Sequence, residues 1–173
     1  MKIFLIGYRC TGKTTIGKRL SDRLGYKFID TDLMIEQQIK STITKFVTSH
    51  GWDKFRQIEK LTLFKTKKFE NTIISTGGGI VADPENQAFI RSNGYSIWLD
   101  ADLKTILSRL ACDKKTDSNR PSLTLKTVLE ETKEMIQKRK PLYKNTANTR
   151  IDTSIHTIDE IINIIDRRLT DVW

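Results

Sequence analysis

Short apolar runs alternate with segments of helical period along the chain. The run KIFLI is followed by TTIGKRLSDRL, in which apolar residues recur at helical spacing up to Gly25, a residue suited to a helix C-terminus. Further strand-like runs are YKFID, NTIIST, YSIWLD and TRIDT. The segments between them predict helices over DLMIEQQIK, Ile43 to Phe69 with a break near Gly51, Asp83 to Asn93, DLKTILSRLA, Leu125 to Tyr143, and a last helix that opens with the capping box Thr157 to Glu160.

This alternation predicts an α/β protein with a five-stranded parallel sheet flanked by helices. Several of the strands are apolar at consecutive positions, as strands buried on both faces of a parallel sheet are. In such sheets, ligands bind outside the carboxyl ends of the strands. The segments 7–14, 30–32 and 77–79 each follow a predicted strand, so we expect them to meet at one edge of the sheet.

Composition and charge narrow the class of protein. We expect one domain over residues 1–173, since 173 residues suffice to bury a core. The two cysteines form no disulfide framework, and no apolar run approaches the roughly 20 residues of a membrane span. We expect a cytoplasmic monomer without a membrane partner. The net charge of +9 is spread along the chain, which favours small anionic substrates over nucleic acid as ligands.

The loop after the first strand carries the most specific motif. Gly7 to Thr14, the phosphate loop, fits G-x-x-x-x-G-K-S/T between a strand and a helix, the pattern of a nucleoside triphosphate site. Bare backbone at Gly7 and Gly12 lets several N–H groups face the phosphates, and the following helix adds its positive end. Lys13 is then expected to reach the β- and γ-phosphates, and the Thr14 hydroxyl to bind Mg²⁺.

Other segments are ambiguous when each is taken alone. Asp30 and Asp32 could serve a metal and a substrate hydroxyl, or simply begin a helix. Arg56 and Glu59 share a helix face, as a surface ion pair also would. The glycines at 77–79 suit close approach of a ligand to the backbone, or a structural turn.

Together, these segments resemble the shikimate kinases, P-loop small-molecule kinases related to the nucleoside monophosphate kinases. The resemblance runs from Ile3 to about Thr153 and rests on segments in family-like order and spacing: GYRCTGKTTIG, FIDTD, GWDKFRQIE, STGGG, IWLD, NRPSL, RKPLY and RIDT. It implies a three-layer P-loop kinase fold with a substrate-binding helical segment at about residues 31–60 and a mobile lid at about residues 112–124. It also implies ATP-dependent phosphorylation of the 3-hydroxyl of shikimate, a step of chorismate and aromatic amino acid biosynthesis.

The resemblance further implies a role for individual residues. Asp32 would hold the acceptor hydroxyl and act as base, and Asp30 would join Thr14 around Mg²⁺. Lys13, Asp32 and the lid residue Arg120 would be catalytic. Shikimate would be bound by Asp32, Arg56, Gly78, Arg139 and Glu59, the arginines on its carboxylate, Gly78 through its N–H, and Glu59 by orienting Arg56. ATP would be bound by Cys10, Thr11, Gly12, Lys13, Thr14, Thr15, Arg120 and His156.

Two other functions remain open from the residues themselves. One is another small-molecule kinase of this fold, of the gluconate or nucleotide type. The pair Arg56 and Arg139 argues against it, because two guanidinium groups call for a carboxylate on a compact acceptor. The other is a nucleic-acid-dependent ATPase, which would need a continuous basic or aromatic face. The chain also departs from the family where Cys10 stands for the usual Gly and Trp52 for a common acid.

Overall fold

A computed structural model describes residues 1–112 and 127–170. It contains one parallel sheet with the strand order β2-β3-β1-β4-β5. The strands are β1 (Lys2–Ile6), β2 (Lys27–Asp30), β3 (Thr72–Ser75), β4 (Tyr95–Asp100) and β5 (Thr149–Asp152). The described helices are α1 (Lys13–Leu24), α2 (Thr31–Ile39), α3 (Ile43–Lys65), α4 (Pro84–Asn93), α5 (Leu103–Cys112), α6 (Val128–Thr146) and α7 (Ile158–Thr170), with 3₁₀ turns at Thr66–Lys68 and Ile80–Ala82. The predicted α/β class and five-stranded parallel sheet are confirmed.

The consecutive apolar residues of β1 are buried on both faces of the sheet. Ile3 and Leu5 belong to a core cluster that includes residues of α1 and α7. Phe4 and Ile6 belong to the opposite cluster, which includes residues of α4 and α6. β1 is the central strand, with β3 on one side and β4 on the other. The chain order reverses there, which puts a ligand crevice at the carboxyl end of β1.

Most element boundaries agree with the sequence pattern within a residue or two. The predicted break in the third helix is a kink at Gly51, whose φ of 82° is not helical. The capping box at Thr157 and Glu160 is formed in both directions. The helix α6 continues to Thr146, past the predicted end at Tyr143, because its last turn buries both Tyr143 and Thr146.

Two predictions concern residues beyond those described. The lid at about residues 112–124, apart from Cys112 at the end of α5, lies outside the described residues, and so does Arg120.

Within residues 1–112 and 127–170, no helix is both long and apolar enough to cross a membrane.

Candidate active site

The phosphate loop leaves β1 and leads directly into α1. Gly7 has a φ of 142°, and a Cβ atom there would collide with the carbonyl oxygen of Leu99. Gly12, at the start of α1, has a φ of 89° and no side chain to cap the helix. A larger side chain would be strained at either position. The loop therefore presents bare backbone in front of a helix N-terminus, an arrangement that binds anions.

The Lys13 side chain lies back across this loop. Its ammonium group donates to the carbonyl oxygens of Gly7 at 2.8 Å and of Tyr8 at 2.7 Å. The residue is only 9% exposed, so its charge lies inside the loop rather than in bulk solvent. A buried ammonium group at this place attracts phosphate oxygens strongly.

Thr14, in the first turn of α1, lies next to Asp30, the last residue of β2. The Thr14 hydroxyl donates to Oδ2 of Asp30 at 3.0 Å. The other carboxylate oxygen of Asp30 accepts from the N–H of Asp32 at 3.0 Å, so Asp30 caps α2. Asp30 therefore caps α2 and also accepts a hydrogen bond from the Thr14 hydroxyl. Hydroxyl and carboxylate oxygens are the donors that Mg²⁺ prefers. Among the described residues, no cluster of three or more His, Cys, Asp or Glu side chains could hold a metal by itself.

The glycine triplet 77–79 is packed against charged side chains. A Cβ atom built on Gly77 would lie 2.6 Å from Oε1 of Glu59 and 2.7 Å from Oδ1 of Asp32. A Cβ atom on Gly79 would collide with the guanidinium group of Arg56. The absence of side chains at the triplet therefore makes room for the three charged groups named in the sequence analysis.

Arg56 is held by an acid and by two aromatic rings. Its guanidinium group forms an ion pair with Glu59, which is 1% exposed and lies three residues further along α3. The guanidinium carbon lies 5.3 Å from the ring centres of both Trp52 and Phe55. An ion pair on one side and ring faces on the other restrict the orientation of the guanidinium group.

The carbonyl oxygen of Gly78 anchors the triplet to α6. It accepts from Arg139 at 3.1 Å and from the hydroxyl of Tyr143 at 2.5 Å. Burial raises the pKa of Tyr143, so its phenol stays protonated and remains a donor. The preceding carbonyl, that of Gly77, accepts from the N–H of Ile80 at 3.1 Å. Because the two groups of a trans peptide point in opposite directions, the N–H of Gly78 points away from that turn.

These side chains line one cleft, the acceptor cleft, with an empty volume of about 540 Å³ that includes open solvent at its mouth. The predicted residues that line it are Asp32, Arg56, Glu59, Gly78 and Arg139. Sequence reasoning missed other lining residues: Tyr8, Arg9, Glu131 and Met135. Arg9 was within the motif, but the motif assigns no role to its third position. Glu131 and Met135 have no signal in a single sequence beyond their place on a helix face.

Arg109, which the sequence analysis did not single out, joins the phosphate loop to the segment just after β5. Its guanidinium group donates to the carbonyl oxygen of Cys10 at 3.2 Å and to that of Thr153, just after β5, at 2.7 Å. The Thr11 hydroxyl donates to the Tyr8 carbonyl oxygen at 2.8 Å. Cys10 has a φ of 61°, a left-handed conformation that glycine adopts more readily than any other residue.

The two remaining residues predicted to bind the nucleotide lie at the edges of this region. Thr15 is exposed in the first turn of α1. Nδ1 of His156, in the segment between β5 and α7, lies 3.9 Å from a carboxylate oxygen of Glu160.

Known proteins resemble this chain along most of its length. A family model described as shikimate kinase matches residues 9–170. Shikimate kinase 2 of Yersinia enterocolitica serotype O:8 / biotype 1B is 40% identical over 94% of each chain. Shikimate kinase from Acinetobacter baumannii, solved in complex with shikimate, superposes with a TM-score of 0.90 at 27% identity over 98% of this chain and 93% of that one. The shikimate kinase of Bacteroides thetaiotaomicron gives 0.88 at 29% identity over 98% of each chain.

Proposed function

This chain belongs to the shikimate kinase family, and on that premise we propose that it transfers the γ-phosphoryl group of ATP to the 3-hydroxyl of shikimate. One observation carries the proposal. Asp32, Arg56 and Arg139 converge on the glycine triplet, in a cleft that the phosphate-loop residues Tyr8 and Arg9 also line. An acceptor with a carboxylate at one end and a hydroxyl at the other matches this arrangement of charges.

Arg56 and Arg139 bind the carboxylate of shikimate in this proposal. Both guanidinium groups lie at the triplet, one at Gly79 and the other on the Gly78 carbonyl oxygen. A planar guanidinium fork matches the two oxygens of a carboxylate. Glu59 keeps Arg56 in place through their ion pair, and the N–H of Gly78 donates to a substrate oxygen in this proposal.

Asp32 acts on the hydroxyl that receives the phosphoryl group. Its carboxylate accepts the hydroxyl proton while the oxygen attacks the γ-phosphorus, and the bond from that phosphorus to the bridging oxygen of ADP breaks. The proton ends on Asp32, and the negative charge of the leaving group ends on ADP. Oδ1 of Asp32 lies at Gly77, on the same triplet as the carboxylate clamp, so the cleft can hold both ends of one small acid.

The phosphate loop binds ATP in this proposal. Residues 10–15 surround the phosphates, and Lys13 exchanges its loop carbonyl partners for phosphate oxygens. Thr14 and Asp30 fit Mg²⁺, which when bound neutralises charge on the β- and γ-phosphates. We propose that Arg120, which lies outside the described residues, helps to offset the charge of the phosphates, and that His156 contacts the nucleotide.

A coupled assay of ADP release tests this function. Purified protein is supplied with ATP, Mg²⁺ and one acceptor from a panel: shikimate, its methyl ester, quinate, gluconate and nucleoside monophosphates. We expect rapid turnover with shikimate and a large loss with the ester, which lacks the charged carboxylate. Trp52 stacks on Arg56, so its fluorescence should change on binding shikimate but not the ester. Equal rates with shikimate and its ester would overturn the carboxylate clamp, and turnover confined to gluconate or to a nucleotide would overturn the substrate.

A further inference from the structure

The acceptor cleft contains a third guanidinium group, that of Arg9. Arg9 is the third residue of the phosphate loop, while the other two arginines of the cleft come from α3 and α6. Its Nε atom is buried and has no hydrogen-bond partner among residues 1–112 and 127–170. A buried charged donor without an acceptor lowers stability, so such groups in folded proteins point to a missing partner.

The other two arginines of the cleft are already bound to the protein. Arg56 is paired with Glu59, and Arg139 donates to the Gly78 carbonyl oxygen. The Arg9 guanidinium, by contrast, rests against the ring of its neighbour Tyr8, 5.7 Å from the ring centre. An aromatic ring face attracts a cation but offers no oxygen to Nε. Among the described residues no acceptor meets Nε of Arg9, and an anionic ligand in the cleft would supply one.

The position of Arg9 indicates which part of a ligand it meets. A Cβ atom built on Gly78 would lie 3.3 Å from the backbone nitrogen of Arg9, so the phosphate loop touches the glycine triplet at this residue. Arg9 thus stands at the junction between the phosphates and the acceptor. A carboxylate offers about four lone-pair sites, and two bidentate guanidinium groups fill them. A third guanidinium group calls for another anionic group.

We propose that Arg9 binds the phosphoryl group on the acceptor side and holds the phosphate of the phosphorylated product. This inference rests on the proposed function, because it assumes that phosphoryl transfer takes place in this cleft. The reaction gives the acceptor a second anionic group with a charge of about −1.5 to −2 at pH 7. Arg9 supplies charge where that group arrives, which favours the transition state and the product over the unreacted acceptor.

The test compares the binding of acceptor and product to Arg9 variants. Isothermal titration calorimetry measures the affinity of shikimate and of shikimate 3-phosphate for the wild type, Arg9→Met and Arg9→Lys. Arg23→Met is the matched control, because it removes one exposed positive charge at the far end of α1. Steady-state kinetics on the same proteins give kcat and the Michaelis constant for shikimate, and circular dichroism checks the fold of each variant.

We expect Arg9→Met to weaken binding of the phosphorylated product about tenfold to a hundredfold, the range for a hydrogen bond to a charged group. Binding of shikimate should change far less, kcat should fall, Arg9→Lys should recover part of the loss, and Arg23→Met should behave as the wild type. Equal losses for shikimate and its phosphate would overturn the proposal in favour of a contact with the carboxylate. Unchanged product binding in folded Arg9→Met would also overturn it. An inactive wild type would instead refute the proposed function.

Discussion

At the scale of single residues, the position of Asp32 depends on the direct connection of β2 to α2, which has no loop between them. β2 ends at Asp30 and α2 begins at the next residue. Asp30 accepts the N–H of Asp32, so the backbone of Asp32 is fixed in the first helical turn. The carboxylate then lies at Gly77. The register of β2 on β3 thus sets the position of the proposed base relative to the triplet.

Replacing Asp32 with Asn should slow turnover and leave nucleotide binding almost unchanged. The amide keeps the size of the side chain but cannot take the hydroxyl proton, a role worth roughly 100-fold to 10,000-fold in rate. The measurement is kcat with shikimate, together with the affinity for ATP by calorimetry. Asp30→Asn is the matched control, since it should weaken the Mg²⁺ dependence instead. Loss of ATP binding in Asp32→Asn with normal kcat would mean that the two acids exchange roles.

Replacing Arg56 or Arg139 with Ala should raise the Michaelis constant for shikimate far more than that for ATP. The expected cost of each change is roughly 2–5 kcal/mol, as for other truncated charge pairs. The double variant should lose less than the sum, because both residues bind the same carboxylate. Lysine at either position should recover only part of the loss, because an ammonium group keeps the positive charge but lacks the planar fork. Strict additivity of the two losses in steady-state kinetics would contradict a shared ligand group.

The charged residues of the cleft were predicted more readily than the contacts that hold them. Asp32, Arg56 and Arg139 stand in motifs whose residue types already suggest chemistry. Tyr143 was quoted in a motif too, but its hydrogen bond to Gly78 joins positions 65 apart in sequence. Nothing local to either residue encodes that contact. The buried Nε atom of Arg9 was not predictable either, because the sequence around a loop residue does not show how deeply its side chain is buried.

At the scale of elements, α6 fixes the geometry of the glycine triplet through Tyr143. Tyr143→Phe should lower the free energy of unfolding by about 0.5–1.5 kcal/mol, the net value of one hydrogen bond. It should also raise the Michaelis constant for shikimate, because the Gly78 carbonyl then has only Arg139 to orient it. Urea unfolding and steady-state kinetics measure the two effects.

Tyr95→Phe is the matched control for this change. The Tyr95 hydroxyl donates to Oγ1 of Thr149 at 3.2 Å, between β4 and β5 and apart from the residues that line the acceptor cleft. Its loss should affect stability alone. Equal Michaelis constants for shikimate in Tyr143→Phe and Tyr95→Phe would show that the phenol of Tyr143 has no part in arranging the triplet.

The connection between α2 and α3 contains a strained residue. Lys40, at the end of α2, has a φ of 52°, a conformation that disfavours any side chain. Lys40→Gly should raise the free energy of unfolding by about 0.5–1 kcal/mol, since relief of strain exceeds the added freedom of the unfolded chain. Lys54→Gly, at an exposed helical position of α3, should lower it by about 1 kcal/mol. If urea unfolding showed that both substitutions change the free energy of unfolding in the same direction, Lys40 would not be strained.

Element types were predictable, and some of their ends were not. β1 was predicted as buried on both faces because its apolar residues are consecutive, and the two core clusters explain that pattern. The end of α6 was predicted at Tyr143, three residues before its end at Thr146, in a segment that contains Pro141. Proline inside a helix removes one hydrogen bond and crowds the carbonyl four residues earlier, yet α6 continues through Pro141 and buries Tyr143 and Thr146 in its last turn. Tertiary packing, which a single sequence does not display, decided this boundary.

At the scale of the whole molecule, acid should destabilise the fold through carboxylates that cap its helices. The backbone N–H and the hydroxyl of Thr105 lower the pKa of Asp102 below its ordinary value of 3.8. Thr157 lowers that of Glu160 below 4.5 in the same way. A lowered pKa in the folded state gives stability that is present above the unfolded pKa and lost as the pH falls through the folded one.

Asp102→Asn should therefore make stability less dependent on pH. Asparagine caps a helix about as well as aspartate but does not titrate. Urea unfolding from about pH 5 to pH 2 should give a shallower fall in the free energy of unfolding for the variant than for the wild type. If the free energy of unfolding fell equally steeply with pH in both proteins, protonation of Asp102 would have no effect on stability.

The strand order also has a consequence for synthesis of the chain on the ribosome. β1 emerges first, but its neighbours β3 and β4 begin only at residues 72 and 95. At about 5–20 residues per second, the exposed apolar strand waits roughly 3–13 s for its first partner. The acceptor cleft is completed later still, because Arg139, which lines it, and Tyr143, which holds Gly78, both follow these strands in the chain. A ribosome stalled before codon 139 therefore carries a nascent chain that has the phosphate loop and both neighbours of β1 but no complete acceptor cleft.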